Sequence, residues 1–237
     1  MVAVKKLAGM VLGLAVLAAG PVWAQQSQTP LGAIKKMQQL PITGVNIVES
    51  DKGTFFVSAN GRFVFKGPIY DLWNGQPIST MEEVEKIVNR LDLKKIGVDL
   101  EGLSTFTLGK GPREVVVFVS PECPHCHQVL QQAAGLTEQF TFRIVVFPVS
   151  QKALPIAKKV WCAGQEKGLP ALLAQKYDGL PEGQCDIAPM QKTLVVARVL
   201  SIPAVPFLIR DDGQTHKGAL NDLAGWLAGQ PIKEAKK

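Results

Sequence analysis

The sequence predicts a mixed α+β and α/β protein: a small antiparallel β domain, one connecting helix and a larger α/β domain. Three observations indicate this class. Apolar and polar residues alternate between about residues 41 and 75, an amphipathic helical stripe follows, and two β-rich apolar runs later in the chain flank a helical pattern. With 237 residues, 46% hydrophobic and 19% charged, the chain is long enough for one large domain or two small ones.

The first 24 residues have the features of a cleavable secretory signal. Lys5 and Lys6 form a basic n-region, and an apolar run covers residues 7–19. Val22 and Ala24 occupy the small-residue positions before a cleavage site. The alternative is a membrane anchor, but the run is shorter than the ~20 residues of a spanning helix. We expect cleavage after Ala24 and export to a compartment where thiols tend to be oxidised.

Residues 25–76 are expected to form the small N-terminal β domain. Its polar, glutamine-rich start, residues 25–40, predicts a short helix, and short strand-like runs begin at Gly44. Three turn signals separate these runs: Asp51-Lys52-Gly53, Asn60-Gly61 and Asn74-Gly75. A unit of this size buries little apolar surface, which favours dimerisation through it.

Residues 77–98 are predicted to form a linker helix. Ser79 or Thr80 caps it, and a glutamate three positions later completes a capping box. Apolar residues recur at helical spacing up to Leu91, and Gly97 ends the pattern. The stripe predicts ordinary packing against neighbouring elements.

Residues 99–237 are predicted to form the larger α/β domain. Apolar runs at 113–120 and 140–149 are typical of buried strands. Further helices are expected at about 152–164, 169–177 and 187–199, a hairpin turn at Asp212-Gly213, and a closing helix over 220–229.

The stretch SPECPHCHQV, residues 120–129, carries the candidate chemistry. Its C-x-x-C-H pattern matches a haem attachment site, and its cysteine pair also matches half of a typical zinc site. A buried strand leads directly into the motif, which disfavours haem. Cys162 and Cys185 offer no second paired spacing, which disfavours zinc. We therefore expect no metal and no cofactor, and a redox-active dithiol or a structural bridge remains.

A redox-active dithiol fits the physical chemistry best. A strand ending near Ser120 places Cys123 at the N-terminus of the next helix, where unpaired N–H groups and the helix dipole favour a thiolate. Pro124 suits the first helical turn. Cys126 lies one turn deeper, within reach of a disulfide. Cys123 is thus the predicted nucleophile and Cys126 the resolving thiol.

His125, together with Pro124, is predicted to tune the redox properties of the pair. An imidazole can donate a hydrogen bond to the thiolate or, when charged, attract it. Either effect stabilises the reduced form and makes the disulfide a stronger oxidant. The negative charge of Glu122 acts in the opposite direction. His127 is expected to be a solvated helix residue rather than a participant.

These residues resemble the thioredoxin fold, in which a strand leads into C-x-x-C and a later proline begins another strand. The stretch IPAVPFLI, residues 202–209, is similar to the cis-proline segment of that fold. The resemblance implies a cis bond between Val205 and Pro206, with Pro203 as the rival position. It also implies that the Val205 backbone lies beside the Cys123 sulfur and binds a substrate strand.

The match narrows to a family, because GRFVFKGPIYDLW, residues 61–73, is similar to the dimerisation domain of the bacterial periplasmic protein disulfide isomerases of the DsbC/DsbG type. The stretches VWCAGQEKG and GQCDIA are similar to that family's second disulfide, which implies a Cys162–Cys185 bond. The family implies a periplasmic homodimer whose thioredoxin-like domains, each with a helical insertion, act on unfolded or mis-bridged exported proteins. It also implies a membrane reductase of the DsbD type as partner. The net charge of +6 is spread without basic–aromatic clusters, so no nucleic-acid partner is expected.

Three features, which involve four residues, depart from the patterns of these related proteins. The dipeptide Pro124-His125 is associated with strongly oxidising DsbA-type enzymes rather than isomerases. Val205 stands where threonine is usual, and Val117 stands where thioredoxins have a buried acid. We predict a disulfide isomerase, with a dimeric dithiol oxidase as the alternative and a chaperone-type binding protein as an alternative of another class.

Overall fold

The structure is a computed structural model that describes residues 31–40, 44–182 and 185–230. The predicted signal and its cleavage site after Ala24 lie outside these residues. Within them, no helix is both long and apolar enough to span a bilayer. The predicted mixed class is confirmed: an antiparallel N-terminal sheet is followed by an α/β region with a thioredoxin-like arrangement.

The N-terminal region is a four-stranded antiparallel sheet. Its strands, in the order in which they pair, are β1 (Ile34–Gln39), β2 (Val45–Ser50), β3 (Gly53–Ser58) and β4 (Val64–Phe65). The β2–β3 turn lies at the predicted turn sequence Asp51-Lys52-Gly53. Gly53 has a φ of +114°, a value that favours glycine. The prediction of a helix over residues 25–40 is wrong for residues 31–40, the part of this range that the structure describes. Residues 34–39 pair with β2 instead, because inter-strand bonds override a weak local preference.

A hairpin and a short helix follow the sheet. The hairpin consists of β5 (Ile69–Asp71) and β6 (Gln76–Ile78), and the helix α1 covers Met81–Ile87. The capping box is present: the Glu83 N–H donates to the Thr80 hydroxyl, and the Thr80 N–H donates to the Glu83 carboxylate.

Helix α1 is much shorter than the predicted linker helix. The chain leaves the helix because its backbone finds partners elsewhere. The Leu91 N–H donates to the Gly213 carbonyl at 2.8 Å, and the Thr215 N–H donates to the Asn89 carbonyl at 2.7 Å. These bonds join the end of the segment to the hairpin turn near the C-terminus, a contact that the local pattern does not reveal.

The larger region contains a five-stranded sheet. Its strands are β7 (Thr105–Leu108), β8 (Arg113–Val119), β9 (Phe140–Val146), β10 (Phe207–Ile209) and β11 (Thr215–Lys217). They pair in the order β11-β10-β8-β9-β7, with β8 and β9 parallel and the other pairs antiparallel. Strand β7 was not predicted, since four residues at a sheet edge carry little periodic signal.

Helices cover both faces of this sheet. They are α2 (Pro124–Ala134), α3 (Ala153–Cys162), α4 (Gly164–Ala174), α5 (Ala188–Val199) and α6 (Leu223–Leu227). Alternate side chains of β8 enter two different cores. Val117 packs with Val129 of α2, whereas Phe118 packs with Leu200 at the end of α5. Burial on both faces explains why β8 reads as a continuous apolar run. It also places the end of β8, and the motif that follows it, at the centre of the sheet.

Candidate active site

Cys123 is the N-cap residue of α2. Its backbone is extended, with φ −91° and ψ 110°, and its N–H donates to the Ser120 carbonyl at 3.1 Å. Its Sγ accepts the N–H of Cys126 at 3.2 Å, in the manner of a capping side chain. Pro124 occupies the first helical position, where no intrahelical N–H bond is lost. The sulfur therefore lies where a negative charge is favoured by the helix terminus.

The two cysteines of the motif differ in accessibility. They form a disulfide with a Cα–Cα distance of 5.2 Å. Cys123 is half-buried, whereas Cys126 is 1% exposed and packs in the main core with Val129. An incoming disulfide can therefore approach Cys123 but not Cys126. This difference matches the predicted roles of nucleophile and resolving thiol, which remain a proposal for those residues.

The segment before β10 lies directly beside Cys123. The Val205–Pro206 peptide is cis, and the Val205 carbonyl oxygen is 3.6 Å from the Cys123 sulfur. Pro206 is buried and Val205 is half-buried. Since β10 pairs antiparallel with β8, the residues that precede β10 meet those that follow β8 at one edge of the sheet.

The polar residues around the pair lie in the first turn of α2 and just before it. His125 is exposed, and its Nδ1 is 3.3 Å from the Oε1 of Gln128. Glu122 is also exposed and accepts a hydrogen bond from the Ser150 hydroxyl at 3.5 Å. His127 is half-buried rather than solvated, because its ring lies against α2 with Nε2 2.8 Å from Gln131 Nε2.

This chain has Val117 at the core position where the resemblance implies a buried acid that assists proton transfer. Val117 is completely buried in β8 and has no group that could exchange a proton with Cys126. Ser120, three residues later, is 2% exposed, and its hydroxyl has no hydrogen-bond partner among the residues that the structure describes. The site therefore has no carboxylate at the position where the resemblance places one.

Tyr177 is a site residue that the sequence did not indicate. Its hydroxyl donates to the Pro121 carbonyl at 2.9 Å, across 56 residues. Burial, together with the negative charge of Glu122, raises the pKa of Tyr177 to about 12. A single tyrosine between two glycine- and proline-containing segments has no periodic signature, so only the folded chain reveals this contact.

The other two cysteines form a second disulfide away from the motif. Cys162, at the end of α3, and Cys185 are bonded with a Cα–Cα distance of 5.4 Å. Near this bond, the Trp161 indole N–H donates to the Asp186 carbonyl at 3.0 Å. The loop that the disulfide closes contains α4 and Tyr177. Among the residues that the structure describes, no group of three or more His, Cys, Asp or Glu side chains is arranged to hold a metal ion.

Comparison with known proteins agrees with this arrangement. Residues 24–82 match the family described as the disulfide bond isomerase protein N-terminal domain, DsbC_N. The chain is 24% identical over 174 residues to the thiol:disulfide interchange protein DsbC of Escherichia coli K12, which covers 71% of each chain. It is 23% identical over 200 residues to DsbC of Salmonella typhimurium, covering 82% of this chain and 80% of that one.

A solved structure of a disulfide interchange protein from Neisseria gonorrhoeae superimposes with a TM-score of 0.46 at 20% identity. The match covers 57% of this chain and all of that one. Residues 24–82 thus match the N-terminal domain of disulfide bond isomerases, and the chain is similar over most of its length to curated thiol:disulfide interchange proteins of the DsbC type.

Proposed function

We propose that this protein is a periplasmic thiol–disulfide oxidoreductase that isomerises wrong disulfides in exported proteins. One observation carries the proposal: the sulfur of half-buried Cys123 caps α2, contacts the Cys126 N–H and lies 3.6 Å from the Val205 carbonyl, while Cys126 is buried. A nucleophilic sulfur, a protected partner and a backbone edge for a substrate strand thus occur together. Names of the curated relatives are consistent with this chemistry.

The reaction begins with the reduced pair. The Cys123 thiolate attacks one sulfur of a substrate disulfide, a Cys123–substrate bond forms, and the second substrate sulfur leaves as a thiolate. The helix terminus favours the thiolate before the attack. Exchange of this kind moves only sulfur–sulfur bonds and protons, so no metal or nucleotide takes part.

The mixed disulfide can be resolved in two ways. In isomerisation, another substrate thiolate attacks the substrate sulfur and leaves a new substrate disulfide and reduced Cys123. In reduction, Cys126 attacks Cys123, which releases a substrate thiol and forms the Cys123–Cys126 disulfide. The geometry supports this second route because the two sulfurs are already bonded in the structure. A membrane reductase of the DsbD type would then restore the dithiol.

Substrate binding is assigned to the segment before β10. An extended substrate strand beside Val205 would present its disulfide to Cys123, with main-chain hydrogen bonds that do not depend on substrate sequence. Val149, in the loop that also contains Ser150, is 52% exposed and offers apolar surface near Glu122. Unfolded and mis-bridged proteins expose apolar side chains, which suits such a surface.

A second copy of the chain is the proposed partner of the N-terminal region. Strand β4 is at an edge of its sheet, and several large apolar side chains around it are exposed. We call this set the exposed apolar surface: Phe63, Val64, Phe65, Tyr70, Leu72 and Trp73. Exposed apolar side chains beside a strand at the edge of a sheet favour association. The match of residues 24–82 to DsbC_N supports a homodimer.

The dipeptide between the cysteines favours one alternative, a dimeric dithiol oxidase. His125 lies in the first helical turn and is exposed, so it can stabilise the thiolate of the reduced state. The redox state of the pair in cells separates the two directions. A pair found almost entirely oxidised in the periplasm would contradict the isomerase and support the oxidase.

Refolding of a scrambled multi-disulfide protein tests the proposed function directly. We expect reduced wild-type protein to restore substrate activity, and Cys123→Ser to abolish this recovery. No difference between wild type and Cys123→Ser would overturn the proposal. Suppression of aggregation that survives in Cys123→Ala, without any recovery of scrambled substrate by wild type, would instead indicate a chaperone-type binding protein.

A further inference from the structure

The turn that precedes α2 holds Cys123 in place. The Cys123 N–H donates to the Ser120 carbonyl at 3.1 Å and closes a four-residue turn. Such a bond ties the first and last residues of a turn, but it does not fix the central peptide, which differs in orientation between turn types. Here the central peptide joins Pro121 to Glu122, directly before the nucleophile.

The Tyr177 hydroxyl holds that central peptide. It donates to the Pro121 carbonyl oxygen at 2.9 Å. Pro121 is buried, so its carbonyl would be poorly hydrated if the hydroxyl were removed. A buried acceptor without a donor is costly, and the peptide would then reorient toward another donor.

The position of Tyr177 is itself constrained by the segment in which it lies. It follows α4, whose C-cap residue Gln175 is left-handed with φ 53°, and it packs against the main core. The Cys162–Cys185 disulfide closes the loop in which Tyr177 lies. The Leu180 N–H donates to the Tyr177 carbonyl at 3.3 Å. The hydroxyl is therefore presented to the turn from a constrained segment.

The Tyr177 hydroxyl is protonated near neutral pH and therefore remains a donor. Burial raises the pKa of Tyr177 to about 12, and the charge of Glu122 adds to this effect. A protonated hydroxyl facing a carbonyl can only donate, so the contact does not switch with pH near neutrality.

We propose that Tyr177 is a positioning residue for Cys123: through Pro121 it fixes the turn that keeps the sulfur at the N-terminus of α2. The proposal rests on the dithiol function proposed above. Two contacts depend on this position, the 3.2 Å contact with the Cys126 N–H and the 3.6 Å approach to Val205. The first of these contacts favours the thiolate. Loosening the turn weakens this contact and therefore lowers the fraction of Cys123 that is ionised at neutral pH.

The test compares Tyr177→Phe with Thr141→Val. Each variant removes one hydroxyl that donates to a backbone carbonyl, because the Thr141 hydroxyl donates to Gly111 at 2.7 Å. Thr141 is half-buried like Tyr177, and it lies near the start of β9, at the opposite end of the parallel β8–β9 pair from the motif, so the control is matched. Glu122 and His125, the titratable side chains beside Cys123 in sequence, remain in both variants.

Two quantities are measured. The first is the pH midpoint of Cys123 ionisation, monitored by thiolate absorbance, and the second is the equilibrium constant for thiol–disulfide exchange with glutathione. For Tyr177→Phe we expect the stabilisation of the reduced state to fall by a factor of roughly two to ten. This factor corresponds to the free energy of one neutral hydrogen bond. The midpoint should rise and the disulfide should become a weaker oxidant. Thr141→Val should match wild type in both measurements.

Unfolding of the oxidised proteins separates positioning from simple stability. If Tyr177→Phe is less stable but keeps the wild-type midpoint and glutathione equilibrium, Tyr177 is structural only and the proposal is wrong. If wild type itself does not exchange with glutathione, the proposed function fails instead. The two failures are thus distinguishable.

Discussion

The Cys123 sulfur and the Val205 carbonyl oxygen lie 3.6 Å apart although 82 residues separate them in the chain. The pairing of β8 with β10 explains this proximity. Phe118 is opposite Phe207, so the chain that leaves β8 and the chain that enters β10 emerge at the same edge. A substrate strand bound along the Val205 backbone, as proposed, would therefore lie beside the Cys123 sulfur.

The burial of Cys126 predicts a trapped intermediate. In Cys126→Ser, the mixed disulfide of Cys123 with a substrate loses its internal resolving thiol, so covalent complexes should accumulate. Non-reducing electrophoresis after incubation with a scrambled substrate measures them. The double variant Cys123→Ser/Cys126→Ser should form none. Equal amounts of complex in Cys123→Ser would contradict the assignment of the nucleophile.

Removal of the second disulfide should lower stability. Cys162 and Cys185 close a loop with a sequence separation of 23, for which the chain-entropy relation gives about 3 kcal/mol. Denaturant unfolding of Cys162→Ser/Cys185→Ser, with the Cys123–Cys126 pair oxidised in both proteins, should show a loss of this size. An unchanged free energy of unfolding would mean that the loop is held equally well by its packing.

The exposed apolar surface predicts the site of self-association. Phe65→Glu puts a charge at the β4 edge, where burial in a dimer would be unfavourable, and should shift the protein toward monomer in sedimentation experiments. Val199→Glu is the control, because Val199 is 61% exposed on α5, in the other region of the chain. Dissociation by Val199→Glu but not by Phe65→Glu would place the interface on α5 instead.

The acid dependence of stability has a contribution from Asp212. A hydrogen bond from Arg210 lowers the pKa of Asp212 from 3.8 to about 2. Because the folded-state pKa is depressed, the contribution is complete above about pH 4 and is lost as the pH falls to about 2. Nearly half of the side chain is exposed, so we expect less than about 1 kcal/mol. Asp212→Asn should flatten the unfolding free energy across this window, and an unchanged slope would contradict the assignment.

Much of the fold follows from short-range patterns. Four turns that the sequence indicates join strands in the structure, and the capping box at Thr80 starts α1 as predicted. Helices α3 and α5 lie close to their predicted positions, whereas α4 covers Gly164–Ala174 instead of the predicted 169–177. Each of these features depends on residues within a few positions of one another, so a local signal is sufficient.

The errors occur where a distant partner decides the conformation. Residues 34–39 are a strand because β2 is available beside them. Helix α1 stops early because the backbone near Leu91 bonds to Gly213. Strand β7 exists only as an edge added to β9. In each case the hydrogen-bond partner is far away in sequence, and no local pattern encodes it.

The same division applies to the site. The residue types in the motif were enough to predict a dithiol at a helix start, since Cys123, Pro124 and Cys126 act within one turn of helix. The distance from Cys123 to Val205 and the bond from Tyr177 to Pro121 required the folded chain. They join residues 82 and 56 positions apart, and only the packing of the sheet and the disulfide-closed loop brings them together.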